Sequence, residues 1–525
     1  MVSSIKQVLI PSAGIGSRLG SLTKNINKAL IQIDGKAVIS HIIDLYPENY
    51  EFIICLGHKG DLLRQYLEIS HPKTKFKFVN IDKFDGPGSG LGYTLRKTKD
   101  LIDSPFYFHT NDAIFNKKIP NFDDDTILLS SNLVDSRNYR TASIDETKGI
   151  ISELHDKTQN KLLNVFTYTG VAYIKNYKDF IRFLNTMSVE IGESDYFIKK
   201  IGGETNYYLS SDWMDIGSID GINTAKAAFG GFKNLDKTTE EIYFIDKNVI
   251  KFDINDITVS QKVERSKKLK KVVPKVLKNT NNFFLYKYVE GDLVADLLSP
   301  NEIFEDLLIW CEKNLWKQIK LNKSDESIFK SETKNFYFDK TFDRINFFNE
   351  EYGYFDRNTK INGTPYPKLE KILNEVDWDN IFDALPCHYH GDLHFENILK
   401  TDKGYCLLDW RGSYGNTTLF GDIYYDLGKL LHGLWINHKI IRDDHYEIRM
   451  RGSTITFDVY QKKSLIDCQK ILKEYAFANN YSWRKIETIA SLILLNIAPL
   501  HHDPYSKLLY FFGKEQLQRI VNEYE

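Results

Sequence analysis

Cysteine, methionine and proline are scarce in this chain of 525 residues, which contains five, four and thirteen of them. The cysteines are far apart and form no C-x-x-C pair, so the sequence predicts neither a zinc site nor a disulfide framework. Positive and negative charges nearly balance at a formal net charge of −2, which excludes a strong field for nucleic acid or an anionic membrane. No stretch reaches about 18 continuous apolar residues, so we expect no membrane insertion.

Apolar residues make up 42% of the chain and charged residues 27%, which is the composition of an ordinary globular protein. At roughly 100–200 residues per domain, the length predicts two to four domains. The first apolar run is too short for a signal peptide. We therefore expect a cytoplasmic protein that acts on small molecules, with a homo-oligomer left open.

The segment HGDLHFENILKTDKGYCLLDW (390–410) places Asp392, Asn397 and Asp409 in a fixed order around a short loop and an apolar strand. Phosphoryl transfer from ATP needs a carboxylate near the acceptor hydroxyl and two oxygen ligands for Mg²⁺. Asp392 can accept the hydroxyl proton, and Asn397 and Asp409 can hold the metal. The segment therefore predicts an ATP-dependent phosphotransferase site.

This order of residues resembles the catalytic and metal loops of the aminoglycoside phosphotransferase and choline kinase families. The resemblance implies that Lys251, on a predicted hairpin over 241–254, contacts the ATP phosphates and pairs with Glu264. It places Glu290 at the hinge between two lobes, where adenine binds. It also implies that Asp422 braces the catalytic loop.

Near the N-terminus, the apolar run QVLIP leads into SAGIGSRLGSLTKNINK (12–28), a loop in which Gly14 and Gly16 allow close backbone approach to a phosphate. Leu19 stands where a Rossmann fingerprint requires its third glycine, and the loop lacks the ending of a Walker A site. Arg18 and Lys28 supply two cations for a polyphosphate instead.

The loop resembles the signature G-x-G-x-R-L…K-x-L of the sugar-phosphate nucleotidyltransferases, with Asn27 in place of the usual proline. The resemblance covers roughly residues 6–228 and implies that Asp112 and Asp215 are the two Mg²⁺ carboxylates. It implies substrate contacts by Lys157, Gly170 and Glu193. The nucleotide-binding residues that it implies in the two glycine-rich loops are Ala13, Gly14, Gly16, Ser17, Gly88 and Ser89.

The predicted fold class is therefore α/β. A doubly wound, Rossmann-like (GT-A-like) nucleotidyltransferase sheet is expected over 1–230 and a linker over 231–240. A bilobal, kinase-like α+β domain is expected over 241–525, with its N-lobe over about 241–292 and its C-lobe over about 293–525.

These parts together predict a bifunctional enzyme. Its kinase half would phosphorylate a small hydroxylated metabolite, a sugar by preference, with ATP and Mg²⁺. Its other half would transfer a nucleoside monophosphate from CTP, UTP or GTP to that phosphate, with Mg²⁺ and release of pyrophosphate, for surface polysaccharide biosynthesis. One alternative is a choline kinase fused to a phosphocholine cytidylyltransferase. A regulatory protein with a dead domain is disfavoured, because neither half lacks an essential residue.

Overall fold

The computed structural model describes residues 6–132, 137–157, 162, 164–198, 205–230 and 239–523. The chain divides into two compact units by its internal contacts. The first comprises Met1–Asp256 and Lys278–Leu285, and the second comprises Ile257–Leu277 and Tyr286–Glu525. Among the described helices, none combines the length and the apolar character needed to cross a bilayer.

The strands of the first unit are mostly short apolar runs. Their bounds are β1 Gln7–Ser12, β2 Gln32–Ile33, β3 Lys36–Ala37, β4 Glu51–Leu56, β5 Lys75–Asn80, β6 Phe106–His109, β7 Ala113–Phe115, β8 Thr126–Ser130, β9 Thr141–Asp145, β10 Ile150–His155, β11 Phe166–Ile174, β12 Asn206–Ser210 and β13 Trp213–Asp215.

Nine of these strands form one sheet in the described part of the chain, in the order β5-β4-β1-β6-β11-β8-β12-β10-β9. The strands β5, β4, β1 and β6 are parallel, and β11 joins β6 antiparallel. In chain order these four parallel strands read 3-2-1-4, which is the arrangement of half a doubly wound sheet. The predicted α/β class is confirmed for this unit.

Helices cover the two faces of this sheet. They are α1 Val38–Asp44, α2 Gly60–Ser70, α3 Leu91–Thr98, α4 Tyr177–Thr186, α5 Ser194–Ile198 and α6 Ile219–Phe229. Side chains alternate between the faces along a strand, so Val8 and Ile10 pack in one apolar cluster and Leu9 in the other. Because β1 is buried on both faces, its sequence is a continuous apolar run rather than an alternating one.

A second, smaller sheet belongs largely to the first unit. It has the order β14-β15-β17-β16 and consists of β14 Glu240–Ile245, β15 Asn248–Asp253, β16 Val276–Asn279 and β17 Phe283–Lys287. The Tyr243 hydroxyl donates to the Leu30 carbonyl at 2.9 Å, and the Phe244 N–H donates to the Gly35 carbonyl at 2.7 Å.

The hairpin β14–β15 therefore packs within the first unit, whereas the sequence predicts it in the second domain. The predicted linker at 231–240 lies outside the described residues except for its last two positions. The contact division thus places the change of unit later in the chain than the predicted boundary, at Asp256.

The second unit is mainly helical. Its helices are α7 Asp256–Lys268, α8 Asn301–Asn314, α9 Lys323–Lys334, α10 Lys340–Glu351, α11 Leu369–Asn374, α12 Trp378–Phe382, α13 Ile423–Trp435, α14 His438–Arg442, α15 Lys463–Ala478, α16 Trp483–Ile497 and α17 Tyr505–Glu523. A π-helical turn, Asn335–Asp339, joins α9 to α10.

Short strands complete this unit. They are β18 Asp292–Leu293, β19 Thr359–Ile361, β20 Thr364–Tyr366, β21 Pro386–Cys387, β22 Ile398–Thr401, β23 Gly404–Leu407, β24 Gly421–Asp422, β25 Tyr446–Arg451 and β26 Thr454–Val459. Helices α13 and α16 are buried almost throughout and form the centre of the unit. The sheet β18-β22-β23 lies beside the loop that carries Asp392.

Candidate active sites

Asp112 and Asp215 are brought together by a two-stranded sheet. β7 begins directly after Asp112, β13 ends on Asp215, and the antiparallel register pairs Asp215 with Ala113. The Ile216 N–H donates to the Asp112 carbonyl at 2.9 Å, which continues the ladder past both acids. Two carboxylates about a hundred residues apart in sequence thus become neighbours at the end of one short sheet.

Gly217 shows how closely the charged groups converge. A Cβ atom at this position would lie 2.9 Å from Asp215 Oδ1, 3.3 Å from Arg18 Nη2 and 3.5 Å from Asp112 Oδ2. The two carboxylates and the Arg18 guanidinium therefore surround one small space, and any side chain at position 217 would crowd it. The structure brings together three residues that the sequence predicted to act together.

Each carboxylate has a defined partner. Lys28 Nζ lies 2.7 Å from Asp112 Oδ2, and the Lys28 side chain is only 12% exposed. Burial raises the pKa of Asp112, but the charge and hydrogen bond of Lys28 outweigh it and hold the pKa below its usual range. Asp215 accepts hydrogen bonds from the Tyr139 hydroxyl at 2.7 Å and the Gly217 N–H at 2.8 Å.

The first glycine-rich loop follows β1 directly. Gly16 has a positive φ of 67°, and its carbonyl accepts the Leu19 N–H at 2.9 Å, which starts the 3₁₀ turn Ser17–Thr23. Gly14 is exposed, and no atom lies within 4 Å of a Cβ built there. Ala13 is buried, and Ser17 and Arg18 are exposed at the loop surface. The loop thus presents open backbone at Gly14.

Asn27 holds this loop in place, a role that sequence reasoning missed. Its side chain is fully buried, and its amide group donates to the Ser12 carbonyl at 2.9 Å and the His58 carbonyl at 2.7 Å. Its Oδ1 accepts the Ala29 N–H at 2.9 Å and so caps the turn that presents Lys28. Where the sugar-phosphate nucleotidyltransferases that the loop resembles usually have proline, this chain therefore uses a set of hydrogen bonds.

The second glycine-rich loop precedes α3. Gly88 has a φ of 79°, and the Ser89 hydroxyl donates to the Gly86 carbonyl at 2.7 Å, which closes a tight turn. A Cβ on Gly90 would lie 2.3 Å from the Val189 carbonyl oxygen. A glycine is required there because the chain before α5 passes directly over it. Contacts of Gly88 and Ser89 with a nucleotide stay a prediction.

The three residues predicted to bind the substrate lie in different environments. Gly170 has a φ of 82°, and a Cβ there would lie 2.3 Å from Thr110 Oγ1, so this glycine allows β11 to approach the chain before Asp112. Lys157 is exposed just beyond β10. Glu193 is 3% exposed and accepts the Tyr168 hydroxyl at 2.8 Å, and burial raises its pKa to about 7.

Arg140 is a further charged residue near Glu193 that the sequence did not single out. Its guanidinium donates to Ser194 Oγ at 2.6 Å and lies 3.4 Å from Asp195 Oδ2, and it also pairs with Asp156. It thus ties β9 to the start of α5 and to the end of β10. No local motif marks it, because its partners come from separate parts of the chain.

In the second unit, Asp426 on α13 braces the loop before Asp392. Its carboxylate accepts the backbone N–H groups of His390 and Gly391, both at 2.7 Å, and the Trp316 Nε1–H at 3.0 Å. The prediction that Asp422 braces this loop is wrong. Asp422 accepts the Leu385 N–H at 3.0 Å and caps α13, one strand away from the loop.

Asp392 is surrounded by donors. Lys429 Nζ lies 2.7 Å from its Oδ1, His394 Nε2 lies 3.5 Å from its Oδ2, and Asn397 Nδ2 donates to that same oxygen at 3.1 Å. Burial raises the pKa of Asp392, but Lys429 and His394 outweigh it and hold the pKa well below its usual range. One third of its side chain is exposed. The carboxylate is therefore ionised, fixed and accessible.

Asn397 and Asp409 flank the hairpin β22–β23. Its register pairs Ile398 with Leu407, and the Leu408 N–H donates to the Asn397 carbonyl at 2.7 Å, so Asn397 and Asp409 lie at the same end. Asp409 has a φ of 54°, a strained conformation that is common at functional sites. Lys262 Nζ on α7 lies 3.1 Å from Asp409 Oδ1, a contact that the sequence did not indicate.

The other predicted kinase residues are placed as follows. Lys251 is buried on β15 in the first unit, and Glu290 is exposed between β17 and β18. The side chain of Glu264 on α7 is 51% exposed, and its carboxylate accepts the Thr418 hydroxyl at 2.8 Å. Lys251 and Glu264 belong to different units, so their pairing stays a prediction.

Next to Asp392, three side chains form a group with metal-ligand chemistry. His394, Glu396 and His438 offer donor atoms within 4.8 Å of one another. His394 Nδ1 lies 2.9 Å from Glu396 Oε2, and the two neighbouring carboxylates raise the pKa of His394 to about 9 against the opposing effect of burial. The histidine is thus a cation that positions Asp392.

The donors at both sites fit Mg²⁺. Asp112 and Asp215 offer two carboxylates, and Asp409 and Asn397 offer a carboxylate and an amide oxygen, which are the hard oxygen ligands that Mg²⁺ prefers. The amide of Asn397 directs its NH₂ group to Asp392. A metal bound at either site would neutralise phosphate charge.

The N-terminal part of the chain matches curated sugar-phosphate nucleotidyltransferases. The Bifunctional protein GlmU of Methanococcus aeolicus is 28% identical over 221 residues, which cover 40% of this chain and 51% of that protein. The D-glycero-alpha-D-manno-heptose 1-phosphate guanylyltransferase of Campylobacter jejuni is 24% identical over 151 residues, which cover 28% of this chain and 66% of that protein. The chain thus spans about half the length of the GlmU protein that it matches.

Among solved structures, the CTP:phosphocholine cytidylyltransferase of Streptococcus pneumoniae is similar with a TM-score of 0.36 and 16% identity, covering 43% of this chain and all of that one. No protein-family model matches the chain. The resemblance of the second unit to small-molecule kinases stays a prediction.

Proposed function

We propose that the first unit transfers a nucleoside monophosphate from a nucleoside triphosphate to a sugar phosphate and releases pyrophosphate. The convergence of Asp112, Asp215 and Arg18 on Gly217 carries this proposal. The sequence similarity to sugar-phosphate nucleotidyltransferases supports the same chemistry.

In this reaction, a phosphate oxygen of the acceptor forms a bond to the α-phosphorus, and the bond to the leaving pyrophosphate breaks. The attacking oxygen is already anionic, so no general base is needed. The work of the protein is to neutralise charge and to align the reactants. Arg18 is exposed at the loop surface and suited to bidentate phosphate contact, and Lys28 supplies a second cation beside Asp112.

We also propose that the second unit transfers the γ-phosphoryl group of ATP to a hydroxyl of a small molecule. An ionised, partly exposed Asp392 beside Asn397 supports this, with Asp409 at the same end of the adjoining hairpin. Asp392 would accept the hydroxyl proton. The backbone brace from Asp426 and the contacts of Lys429 and His394 would hold it in position.

The two reactions would form a sequence, because the phosphorylation proposed for the second unit makes the phosphate that the nucleotidyl transfer proposed for the first unit consumes. The product would be a nucleotide-activated sugar or sugar-like compound, of the kind used to build surface polysaccharides. A choline kinase joined to a phosphocholine cytidylyltransferase is the alternative, and it requires a site that accepts a quaternary ammonium.

Both activities can be tested in one experiment. The full chain is incubated with ATP, Mg²⁺, one of CTP, UTP or GTP, and a panel of sugars and choline, and products are identified by mass. We expect a phosphorylated acceptor and a nucleotide conjugate, both abolished by EDTA. Asp392→Asn should abolish formation of the phosphorylated acceptor, and nucleotidyl transfer to a supplied sugar phosphate should persist. Asp112→Asn should abolish nucleotidyl transfer, and phosphorylation of the acceptor should persist. Loss of both activities in either folded variant would refute two independent sites.

A further inference from the structure

A cluster of cations lies on the Asp392 side of the second site. Lys340 and Arg344 are one turn apart on α10, Arg411 follows the candidate metal ligand by two residues, and Lys429 on α13 contacts Asp392. Gly391 has a φ of 88°, and a Cβ on it would lie 2.6 Å from the Arg411 Cβ, so Arg411 packs directly against the catalytic loop.

Phe336 joins two members of this cluster. It lies in the π-helical turn Asn335–Asp339, where the ring faces Lys340 Nζ at 4.4 Å and Arg411 Cζ at 4.9 Å from its centroid. Each π-helical turn interrupts regular helix geometry, and such turns are frequent at functional sites. Here the turn brings a ring and two cations to the same place.

Lys340, Arg344 and Arg411 differ from the lysines at the two candidate sites in their lack of an acidic partner. Lys28, Lys262 and Lys429 each pair with a carboxylate. Within the described residues, by contrast, no carboxylate lies within ion-pair distance of Lys340, Arg344 or Arg411.

Charges withdrawn from water are normally paired. Burial lowers the pKa of Lys340 well below its usual range, and the charges of Arg411, Arg344 and Lys429 add to this effect, while Asp392 opposes it. The cluster therefore lacks a negative charge that a ligand could supply.

We propose that Lys340, Arg344 and Arg411 bind an anionic group, a carboxylate or a phosphate, on the molecule that the second unit phosphorylates. This inference rests on the proposed kinase activity of that unit. The acceptor hydroxyl oxygen forms a bond to the γ-phosphorus of ATP, the bond to the β,γ-bridging oxygen breaks, ADP leaves, and the hydroxyl proton passes to Asp392. The acceptor class is a hydroxylated acid or a sugar phosphate. A quaternary ammonium such as choline would be repelled by the unpaired guanidinium groups of Arg344 and Arg411.

Three sugars that differ only at C6 test the proposal. Glucose, glucuronate and glucose 6-phosphate carry a hydroxymethyl group, a carboxylate and a phosphate there. Each is offered with ATP and Mg²⁺, with choline as a fourth acceptor, and the product is identified by mass. We expect at least tenfold higher kcat/KM for one of the anionic sugars than for glucose, and no phosphorylation of choline. The preferred anionic sugar distinguishes a carboxylate from a phosphate.

Variants then locate the contact. Lys340→Gln and Arg344→Gln should raise the KM for the preferred anionic acceptor at least tenfold and leave the KM for ATP and for glucose unchanged. The matched control is Lys330→Gln on α9, which removes a surface cation that pairs with Glu326 and should change none of these constants. Equal rises in the KM for ATP and for the acceptor would show that the cluster binds ATP and would overturn the proposal.

The outcomes separate this inference from the proposed function. Phosphorylation of glucose or choline as efficient as that of the anionic sugars would leave the kinase activity standing and overturn the anionic acceptor. A chain that binds no ATP in a calorimetric titration with Mg²⁺, and phosphorylates none of the four compounds, would overturn both.

Discussion

The ammonium of Lys28 lies 2.7 Å from Asp112 Oδ2, and both groups are largely withdrawn from water. The second site repeats the relationship, since Lys262 Nζ lies 3.1 Å from Asp409 Oδ1. At each candidate metal site a lysine thus neutralises a carboxylate proposed to bind Mg²⁺. Such a pair keeps the acid ionised, which is the form that binds a cation.

Replacing Lys28 with methionine should move the acid limb of nucleotidyl transfer to higher pH. Lys28 is the strongest influence that lowers the pKa of Asp112, so without it burial raises that pKa. Asp112 then takes up a proton at a higher pH and loses metal. We expect a fall of about 100-fold in the rate at neutral pH, because a preorganised cation is also lost. The measurement is the pH profile of pyrophosphate release.

Arg18→Met is the matched control for this variant. Arg18 contributes less than Lys28 to the lowered pKa of Asp112, although it lies close to the same carboxylates. Arg18→Met should therefore lower the rate of nucleotidyl transfer, and the acid limb of its pH profile should shift less than that of Lys28→Met. An unchanged acid limb in Lys28→Met would show that Asp112 is not the group that titrates.

Asp426→Asn should loosen the loop that carries Asp392 in the second unit. The carboxylate accepts two backbone N–H groups directly before Asp392, whereas an amide has one oxygen and turns an NH₂ group toward a donor. We expect a loss of about 1–3 kcal/mol in the free energy of unfolding and at least a tenfold fall in kcat for phosphorylation. Urea unfolding and initial-rate kinetics measure the two effects.

Asp422→Asn controls for a general loss of stability. This equally buried acid holds Leu385 and Tyr337 rather than the loop. Asp422→Asn should lower the free energy of unfolding about as much as Asp426→Asn does. At a temperature where both variants are folded, it should lower the kcat for phosphorylation less. A larger fall in kcat for Asp422→Asn would contradict the assignment of the brace to Asp426.

The candidate acids Asp112, Asp215 and Asp409 could be singled out because a carboxylate next to a short apolar strand is a local feature of the sequence. The partners of these acids could not. On a helix, successive residues are about 100° apart, so Lys262 and Glu264 point to nearly opposite sides of α7. Only the packing of α7 decides that Lys262 meets Asp409 and that Glu264 faces Thr418. The sequence pattern singled out Glu264 and gave no sign of Lys262.

The domain boundary shows a similar limit. The alternation in 241–254 correctly predicts a hairpin, which the structure has as β14 and β15. Alternation of apolar and polar residues indicates that one face of the hairpin is buried. It does not indicate which part of the chain covers that face. The contacts of Tyr243 and Phe244 with Leu30 and Gly35 decide that question, and they depend on residues more than two hundred positions away.

Glu193→Gln should remove a pH dependence of stability in the first unit. Burial raises the pKa of Glu193 from 4.5 to about 7. Between these values the folded state holds a proton that the unfolded state has released, so stability falls as the pH rises through this window. The total loss is about 3 kcal/mol. Glutamine stays neutral and can still accept the Tyr168 hydroxyl.

The test compares the free energies of unfolding of wild type and Glu193→Gln at pH 5 and pH 8. The difference between the two proteins should grow in favour of the variant as the pH rises. Other titrating groups cancel because they are common to both chains. A constant difference would show that Glu193 ionises normally despite its burial.

Substitutions of Asn27 test its structural role in the first glycine-rich loop without removing a residue proposed to be catalytic. Asn27→Asp keeps the oxygen that caps the turn at Ala29 but removes both amide hydrogen bonds, to Ser12 and His58. We expect a loss of about 2–4 kcal/mol in the free energy of unfolding, because two buried carbonyls lose their donors and a buried charge is introduced. The KM for the nucleoside triphosphate should rise, because the loop that presents Lys28 loses its anchor.

Asn27→Pro tests the residue that is usual at this position in the sugar-phosphate nucleotidyltransferases that the loop resembles. Asn27 has a φ of −68°, which proline adopts without strain, so the backbone should tolerate the change. Proline also restricts the unfolded chain, which contributes about 0.4–1 kcal/mol to stability. We therefore expect Asn27→Pro to be more stable than Asn27→Asp in urea unfolding, yet less stable than wild type, because the bonds to Ser12 and His58 are absent in both variants. A proline variant as stable as wild type would mean that these bonds do not hold the loop.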